Sequence, residues 1–302
     1  MRAPAARILV LALAIVVMAA LSEWFLAAVY GADEVECGVG SFPVQLPHVP
    51  EASGLAASRR HPDVFWTLND SEDPSLYAID TNGDLRAHIR VAGVSTGDWE
   101  DISTGPCGSA TCLYIADIGD NSGNRPFIRV VRFQEPRLRD HAVEEPAVFE
   151  GKYPDGPHDA EAAFVLADGQ MYIVTKDKFS VVYRFPLEPG KMATLERTAM
   201  LPLNNVTDAD ASADGKRISV RTKQDVVFYR TSELLKGDVE HGTAVPTGEL
   251  GEPQGEGVAF GSNGVVGLAG EGGGKKKAPK PGTFATLQCE FKDAPNKRAP
   301  AP

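Results

Sequence analysis

A short segment that leads into an apolar strand recurs five times along this chain and limits the folds that it can adopt. Each copy brings an acidic or small polar residue to the start of the strand, and the copies align at Ser53, Glu100, Glu161, Asp210 and Glu256. The steps between these positions are 47, 61, 49 and 46 residues. A repeat of about 40–50 residues, rich in short strands, is typical of a β-propeller.

The strands around each copy predict an all-β fold with a single β-propeller of five blades. The 61-residue step is long enough to hide further strands, so six blades is the alternative. The fifth copy lacks a fourth strand, while a short strand near Val44 has no partner before Ser53. We therefore expect the N-terminal strand to complete the last blade and close the ring. A β-sandwich could have as many strands, but sandwiches lack a repeated strand-entry segment.

Bulk composition limits the partners that such a domain can have. The chain has 302 residues, of which 43% are hydrophobic, and a net charge of −11. This charge argues against nucleic acid, because binding phosphates requires clustered Lys and Arg. We expect a propeller domain at 37–292, a disordered tail at 293–302, a monomer, and an unknown ligand or protein partner at the propeller rim.

The N-terminus is typical of a protein that leaves the cytoplasm. Arg2 and Arg7 precede an uncharged apolar run from Ile8 to Ser22. Residues 1–31 therefore read as a cleaved signal peptide or as a retained membrane anchor. In either case the folded part is secreted, periplasmic or anchored outside the cytoplasm, and any membrane contact is made only through this segment.

Four cysteines fit an exported domain and allow three pairings. Cys107 and Cys112 flank a turn-like loop, so we expect them to join the two strands of a hairpin. Cys37 and Cys289 lie at the two ends of the domain, where a disulfide would close the ring. Free thiols and a metal site are the alternatives, although no His lies near either pair at zinc-finger spacing.

Acidic residues predict a cation at the mouth of the central channel. The start of the first strand and the end of the second face the same rim in every propeller blade. On this rim we expect the ion pairs Glu161–Lys176 and Asp210–Arg221, but in blades 2 and 5 acids face acids. Like charges at short range need a shared proton or a cation, and carboxylate and Asn oxygens suit Ca²⁺ better than zinc. The candidate ligands are Glu100, Asp117, Asn121, Glu161, Asp210 and Glu256.

The sequence gives little support for nucleophilic catalysis. It has no G-x-S-x-G nucleophile motif. His158, beside Asp159 on the predicted rim, is a weak candidate for a general base, although a histidine in this setting is more often a polar loop residue.

A series of motifs carries a resemblance to a known group of proteins. In chain order they are EASGL, FWTLNDS, LYAID, DWEDI, LYIADIGDN, DAEA, YIVTK, ADAS and GEGVAF. From about Cys37 to Phe291 the chain resembles exported bacterial β-propeller proteins that have no agreed reaction. These are similar in turn to the SdiA-regulated (YjiK-like) and esterase-like phytase propellers. The resemblance implies an exported propeller.

A more distant similarity, in kind only, links the chain to calcium-dependent propeller hydrolases of the lactonase and apyrase types. Those enzymes hold Ca²⁺ on the channel axis with acids and Asn. The leading hypothesis is an exported binding module with Ca²⁺ at the channel mouth. The alternatives are a Ca²⁺-dependent hydrolase of phosphoesters or lactones, and a structural envelope protein without a metal.

Overall fold

The structure, a computed structural model, describes residues 34–70, 74–275 and 278–292. Within these ranges the chain forms five small sheets of four or five strands, arranged in a ring, and one two-stranded hairpin. The fold is therefore a five-bladed β-propeller. The strand count predicts this correctly, and the alternative of six blades is wrong.

The first two blades follow a strand, β1 (Glu34–Leu46), that belongs to the last blade. Blade 1 consists of β2 (Ala52–Ala57), β3 (Val64–Asn69), β4 (Ser75–Asp80) and β5 (Leu85–Val91). Blade 2 consists of β6 (Trp99–Cys107), β7 (Ala110–Asp117), β8 (Ile128–Gln134) and, after the short strand β9 (Ala142–Val143), β10 (Ala147–Lys152).

The remaining three blades repeat this order. Blade 3 consists of β11 (Ala160–Val165), β12 (Met171–Thr175), β13 (Val181–Phe185) and, after the short strand β14 (Met192–Thr194), β15 (Glu196–Met200). Blade 4 consists of β16 (Val206–Ala211), β17 (Arg217–Thr222), β18 (Asp225–Arg230) and β19 (Thr243–Pro246). A short helix, α1 (Thr231–Leu234), precedes β19, and a 3₁₀ helix (Gly248–Leu250) follows it.

Blade 5 closes the ring with strands from both ends of the domain. Its sheet contains β20 (Gln254–Phe260), β21 (Val265–Glu271) and β24 (Gly282–Lys292), and β1 lies on the outer side of β24. The N-terminal strand thus completes the last blade, as predicted. Between β21 and β24 the chain makes a small hairpin of β22 (Gly274–Lys275) and β23 (Ala278–Pro279).

Burial explains why the inner strands have their sequences. β2, β11 and β16 are buried at all six of their positions, because the neighbouring blades cover both faces. β2 and β11 accordingly consist mostly of small and apolar residues, whereas β16 alternates Asp with Ala and its buried aspartates accept backbone N–H groups. The fourth strand β5 instead exposes most of its residues. Apolar clusters fill the spaces between adjacent blades, and the one between blades 1 and 2 contains Trp66 and Trp99.

The long 61-residue step is explained by an excursion of the chain rather than by a sixth blade. After β8 the chain leaves blade 2, adds β9 in parallel to the outer strand β5 of blade 1, and returns to form β10. Similarly, β14 adds in parallel to β10. These short crossings link neighbouring blades at their outer edges.

Both predicted disulfides are confirmed. Cys37–Cys289 joins β1 to β24 across 252 residues of sequence, and Cys107–Cys112 joins β6 to β7. Two disulfides favour an oxidising, extracytoplasmic compartment. Over the described ranges, the structure contains no helix long and apolar enough to cross a membrane. The predicted signal or anchor at 1–31 and the tail at 293–302 lie outside the described residues.

The two disulfides are expected to contribute unequally to stability. In terms of loop-closure entropy, a bridge across 252 residues is worth about 5 kcal/mol and one across 5 residues about 2 kcal/mol. Replacing both Cys37 and Cys289 by Ser should therefore lower the free energy of unfolding in urea more than replacing Cys107 and Cys112. An equal or smaller loss would contradict closure of the ring by this bridge.

Candidate functional site

Every inner strand carries a break in its register with the second strand, close to the end that faces the channel mouth. A bulge of this kind rotates side chains and leaves backbone groups unpaired by the ladder. The five register shifts fall between Ala52 and Leu55, Trp99 and Asp101, Ala160 and Ala162, Val206 and Asp208, and Gly255 and Val258. The repeated segment of the sequence is therefore the bulge.

Hydrogen bonds between blades correct the register of the fourth copy. The Ser53 hydroxyl donates to the Glu100 carbonyl at 2.5 Å, and the Thr207 hydroxyl donates to the Glu256 carbonyl at 2.9 Å. Thr207 therefore occupies the position of Ser53, and the sequence alignment at Asp210 is wrong by three residues. The fourth copy thus has a hydroxyl residue at this position, where the sequence alignment had placed an acid.

Two buried carboxyl groups, one residue beyond the bulge in blades 2 and 4, tie the inner strands together. Oδ2 of Asp208 accepts the backbone N–H groups of Leu55 at 3.1 Å and Val258 at 2.6 Å. Asp101 accepts the N–H groups of Ile102 and Ala163, each at 2.5 Å. The two carboxyl groups face each other, and Oδ1 of Asp208 has no other hydrogen-bond partner among the described residues.

This contact requires a proton, because two carboxylates have no donor between them. Burial raises the pKa of Asp208 to about 8 and that of Asp101 well above its ordinary value. Gly54 makes the close approach feasible, since a methyl group there would collide with the Asp101 carboxylate and backbone. Through the pair, all five inner strands are joined at one level of the channel.

A second acidic group lies nearer the channel mouth. One carboxylate oxygen each from Asp70, Asp98 and Glu100 lies within 4.8 Å of the others. Asp70 follows β3, Asp98 precedes β6, and Glu100 lies in the bulge of β6. The Asp98 backbone is fixed in place, because its carbonyl accepts the N–H groups of Ile118 and Gly119.

Gly119 leaves room for this acidic group, which we call the mouth cluster (Asp70, Asp98 and Glu100). A methyl group at Gly119 would collide with the carboxylates of Glu100 and Asp98. The glycine is therefore needed for close approach rather than for turn formation, and the space beside it is bounded by acidic oxygens.

The mouth cluster is electrostatically unfavourable when all three groups are ionised. Glu100 is only 5% exposed, and among the described residues no donor lies within hydrogen-bonding distance of its carboxylate. Burial, followed by the charges of Glu161, Asp70 and Asp98, raises the pKa of Glu100 to about 10. Burial and the charge of Asp98 raise the pKa of Asp70 to about 6. A proton or a cation must compensate these groups.

Of the six ligands that the sequence suggests, the structure brings only Glu100 into the mouth cluster. The buried Asp117 carboxylate instead forms an ion pair with Arg125 at 2.5 Å and accepts the Asp98 N–H at 2.8 Å. Asn121 is exposed in the loop that follows β7. Asp210 accepts the Phe260 N–H at 2.8 Å.

The other two suggested ligands have partners of their own. Glu161 pairs with Lys176, as predicted. Burial alone would lower the pKa of Lys176, but the hydrogen bond to Glu161 and the charges of the nearby acids together raise it. The Gln254 amide donates to Glu256 at 2.5 Å, and burial raises the pKa of Glu256 to about 7.

The predicted pair of Asp210 and Arg221 is wrong. Arg221 is fully buried and pairs with Glu252, which follows the 3₁₀ helix of blade 4. It also donates to the carbonyl groups of Gly257 and Ala269 in blade 5. Its role is thus to join two blades.

His158 does not belong to the mouth cluster, and each of its ring nitrogens faces a carboxylate. Nδ1 faces Asp177 at 3.0 Å, and Nε2 faces Asp155 at 3.1 Å. The Tyr183 hydroxyl donates to the same Asp155 carboxylate at 2.9 Å. Both ring nitrogens thus face protein carboxylates, and the role of His158 as a base stays a prediction.

Comparison with known proteins supports the propeller fold but identifies no family. A scan against protein-family models and a search of curated proteins find no match. Among solved structures, the PQQ-bound form of aldose sugar dehydrogenase from Streptomyces coelicolor superposes with a TM-score of 0.51 at 10% identity, over 85% of this chain and 99% of that chain. The Malassezia sympodialis allergen Mala s 1 gives 0.51 at 9% identity, over 81% and 95%.

A gluconolactonase from Xanthomonas campestris gives a TM-score of 0.41 at 10% identity, over 82% of this chain and 91% of that chain. The likeness to the first two structures, each with a TM-score of 0.51, shows the fold. At these identities it assigns neither a ligand nor a reaction to this chain.

The Asp101–Asp208 pair should make stability fall as the pH rises from acidic to mildly alkaline values. A carboxyl group whose pKa is raised by folding stabilises the fold fully below its ordinary pKa, and this contribution is lost progressively until the pH has risen through the folded value. The unfolding temperature should therefore decrease between about pH 4 and about pH 8, and Asp208→Asn should reduce that decrease.

The exposed turn residue Asp214 provides a matched control. Hydrogen bonds from Ser212 and Lys216, with nearby positive charge, lower its pKa, so Asp214→Asn should leave the decrease up to about pH 8 unchanged. Equal pH dependence of the wild type and Asp208→Asn would show that the buried pair holds no proton.

Proposed function

We propose that this protein is an exported binding module that holds a hard divalent cation, Ca²⁺, at the mouth of its central channel. Asp70, Asp98 and Glu100 are the protein ligands in this proposal. The observation that carries it is the Glu100 carboxylate, which is buried beside two other acids and has no donor among the described residues. Carboxylate oxygens are the ligands that Ca²⁺ prefers.

A cation at this position would also give the rim a means of binding a ligand. Ca²⁺ takes about six to eight oxygen ligands, so three carboxylates leave positions open for an outside ligand. We propose that this ligand supplies oxygen atoms from the solvent side. Export is supported by the two disulfides and by the resemblance to exported propellers, with residues 1–31 as the signal or anchor.

Thermal unfolding in EDTA and then in excess Ca²⁺ tests the cation. A ligand that binds only the folded state adds about 2.7 kcal/mol of stability at a concentration about 100-fold above its Kd. We expect a rise in the unfolding temperature for the wild type and none for Glu100→Gln. Gly119→Ala should also abolish the rise, because its methyl group fills the space beside the carboxylates without changing the charge.

Two controls separate the mouth cluster from general effects of calcium. Asn121→Ala changes a ligand that the sequence suggests but that lies outside the cluster, and Glu196→Gln changes an exposed acid paired with Arg184. Both should keep the full calcium response. If the wild type does not respond, or if Glu100→Gln responds like the wild type, the proposed site is wrong and the structural role without a metal is favoured.

A Ca²⁺-dependent hydrolase of lactones or phosphoesters is the second candidate. The observation that favours it is Lys176, whose charge acts on both Glu161 and Glu100. Such a cation could stabilise negative charge that develops on a substrate bound to Ca²⁺. A reaction that requires Ca²⁺ and is lost in both Glu100→Gln and Lys176→Met would support the enzyme. Calcium binding without turnover of either substrate class would leave the binding module.

A further inference from the structure

A second pair of acids borders the channel mouth in blade 5, apart from the mouth cluster. Glu256 lies in the bulge of β20, and Glu271 is the last residue of β21. The amide nitrogen of Gln254 donates to both carboxylates, to Glu256 at 2.5 Å and to Glu271 at 2.9 Å. One amide thus holds two like charges together, an arrangement that a nearby cation would stabilise. We call Glu256 and Glu271 the blade 5 pair.

The blade 5 pair and the mouth cluster face one opening. Blade 1 stands between blades 5 and 2 in the ring, and Glu51 precedes its inner strand. Burial, followed by the charges of Asp98, Glu271 and Glu51, raises the pKa of Asp70 to about 6. The charge of Glu51 likewise acts on Glu271. A ligand that enters the opening therefore meets both groups of acids.

The blade 5 pair is suited to an organic cation rather than to a second metal ion. In the described part of the chain, the mouth cluster is the only group of three or more acids, His or Cys whose ligand atoms all lie within 4.8 Å of one another. Ca²⁺ requires about six to eight oxygen ligands close around it. An ammonium group has three donors and needs only two or three acceptors, which two neighbouring carboxylates supply.

The buried Glu100 carboxylate is an independent indication that a ligand enters this opening. It is 5% exposed and has no donor among the described residues, and its compensation by Ca²⁺ is the proposed function on which the present inference rests. Three protein carboxylates leave coordination positions of Ca²⁺ open, and neutral oxygen atoms fill such positions in proteins. The outside ligand therefore brings oxygen atoms to the mouth cluster.

The described charges around the opening disfavour an anionic ligand. Lys176 is already paired with Glu161, and the exposed Lys223 is the nearby lysine whose charge acts on both members of the blade 5 pair. Among the described side chains, acids outnumber bases at the opening even with Ca²⁺ bound. A ligand carboxylate or phosphate would be repelled there, although such groups bind free Ca²⁺ well. Neutral oxygen donors joined to an ammonium group match both groups of acids.

We infer that the outside ligand is an aminated polyol, such as an amino sugar, whose hydroxyl oxygens coordinate the Ca²⁺ of the mouth cluster and whose ammonium group donates to Glu256 and Glu271. The mouth cluster anchors the ligand through the metal, and the blade 5 pair selects it by charge. Glu256 is 4% exposed, so its contact with an ammonium group is little screened by solvent.

Isothermal titration of the calcium-loaded protein with two matched series of probes tests the inference. D-glucosamine, D-glucose and D-glucuronate share one ring, and aminopropanediol, glycerol and glycerate share one three-carbon chain. Within each series the members carry a positive charge, no charge and a negative charge. In at least one series the amine should bind at least about tenfold more tightly than the neutral compound, and the acid should bind more weakly than both. This binding should require Ca²⁺.

Variants of the blade 5 pair separate selection by charge from coordination of the metal. Glu256→Gln and Glu271→Gln should each weaken binding of the amine by about tenfold or more and leave the neutral compound unaffected. Both should keep the rise in unfolding temperature with Ca²⁺. Glu271 is only half-buried, so its variant keeps the test valid if Glu256→Gln does not fold. Glu188→Gln, an exposed acid paired with Lys191 between β13 and β14, is the matched control and should bind like the wild type.

Failure of the inference and failure of the calcium site give different results. A wild type that responds to Ca²⁺ but binds none of the probes, or binds amine, neutral compound and acid alike, would overturn the inference and leave the calcium site. A preference for the amine that persists in Glu271→Gln would have the same meaning. A wild type that does not respond to Ca²⁺ would overturn both.

Discussion

The inner strands of the propeller meet at one contact in the central channel, between the buried carboxyl groups of Asp101 and Asp208. Asp101 lies in blade 2 and accepts an N–H from blade 3, while Asp208 lies in blade 4 and accepts N–H groups from blades 1 and 5. Bulges leave these N–H groups unpaired by the strand ladder, and burial without partners would cost about 1–3 kcal/mol each. The oxygen atoms of the two carboxyl groups therefore satisfy these backbone donors, and a shared proton allows the two groups to lie together.

The same bulges create the acidic channel mouth. A bulge turns consecutive residues in different directions, so Asp101 enters the ring contact while the preceding Glu100 joins Asp70 and Asp98. Burial and like charges raise the pKa of Glu100 and Asp70 there, so full ionisation of the mouth cluster is unfavourable unless a cation binds. The fold thus holds at its mouth a group of acids that a cation would stabilise.

Sequence reasoning predicts the ring and one rim pair, Glu161–Lys176, but not the members of the mouth cluster. The repeated polar residue followed by a small and then an apolar residue marks each inner strand, and the positions of Cys37 and Cys289 mark its closure. Thr207 is missed because a hydroxyl replaces the acid, although its steps to Glu161 and Glu256 are regular. Asp70 and Asp98 are missed because their meeting with Glu100 depends on the register shift in β6. Two-residue strands such as β9 have no periodicity that a sequence could reveal.

The central claim is that the buried acids at the channel mouth bind a cation, and anomalous X-ray diffraction tests it most directly. Crystals of the domain would be grown with a lanthanide that replaces Ca²⁺, and the ion would be located by its anomalous signal. Our account predicts a strong peak in contact with carboxylate oxygens of Asp70, Asp98 and Glu100. A channel mouth without a peak, or an ion held elsewhere on the rim while Glu100 has only protein or water partners, would contradict it.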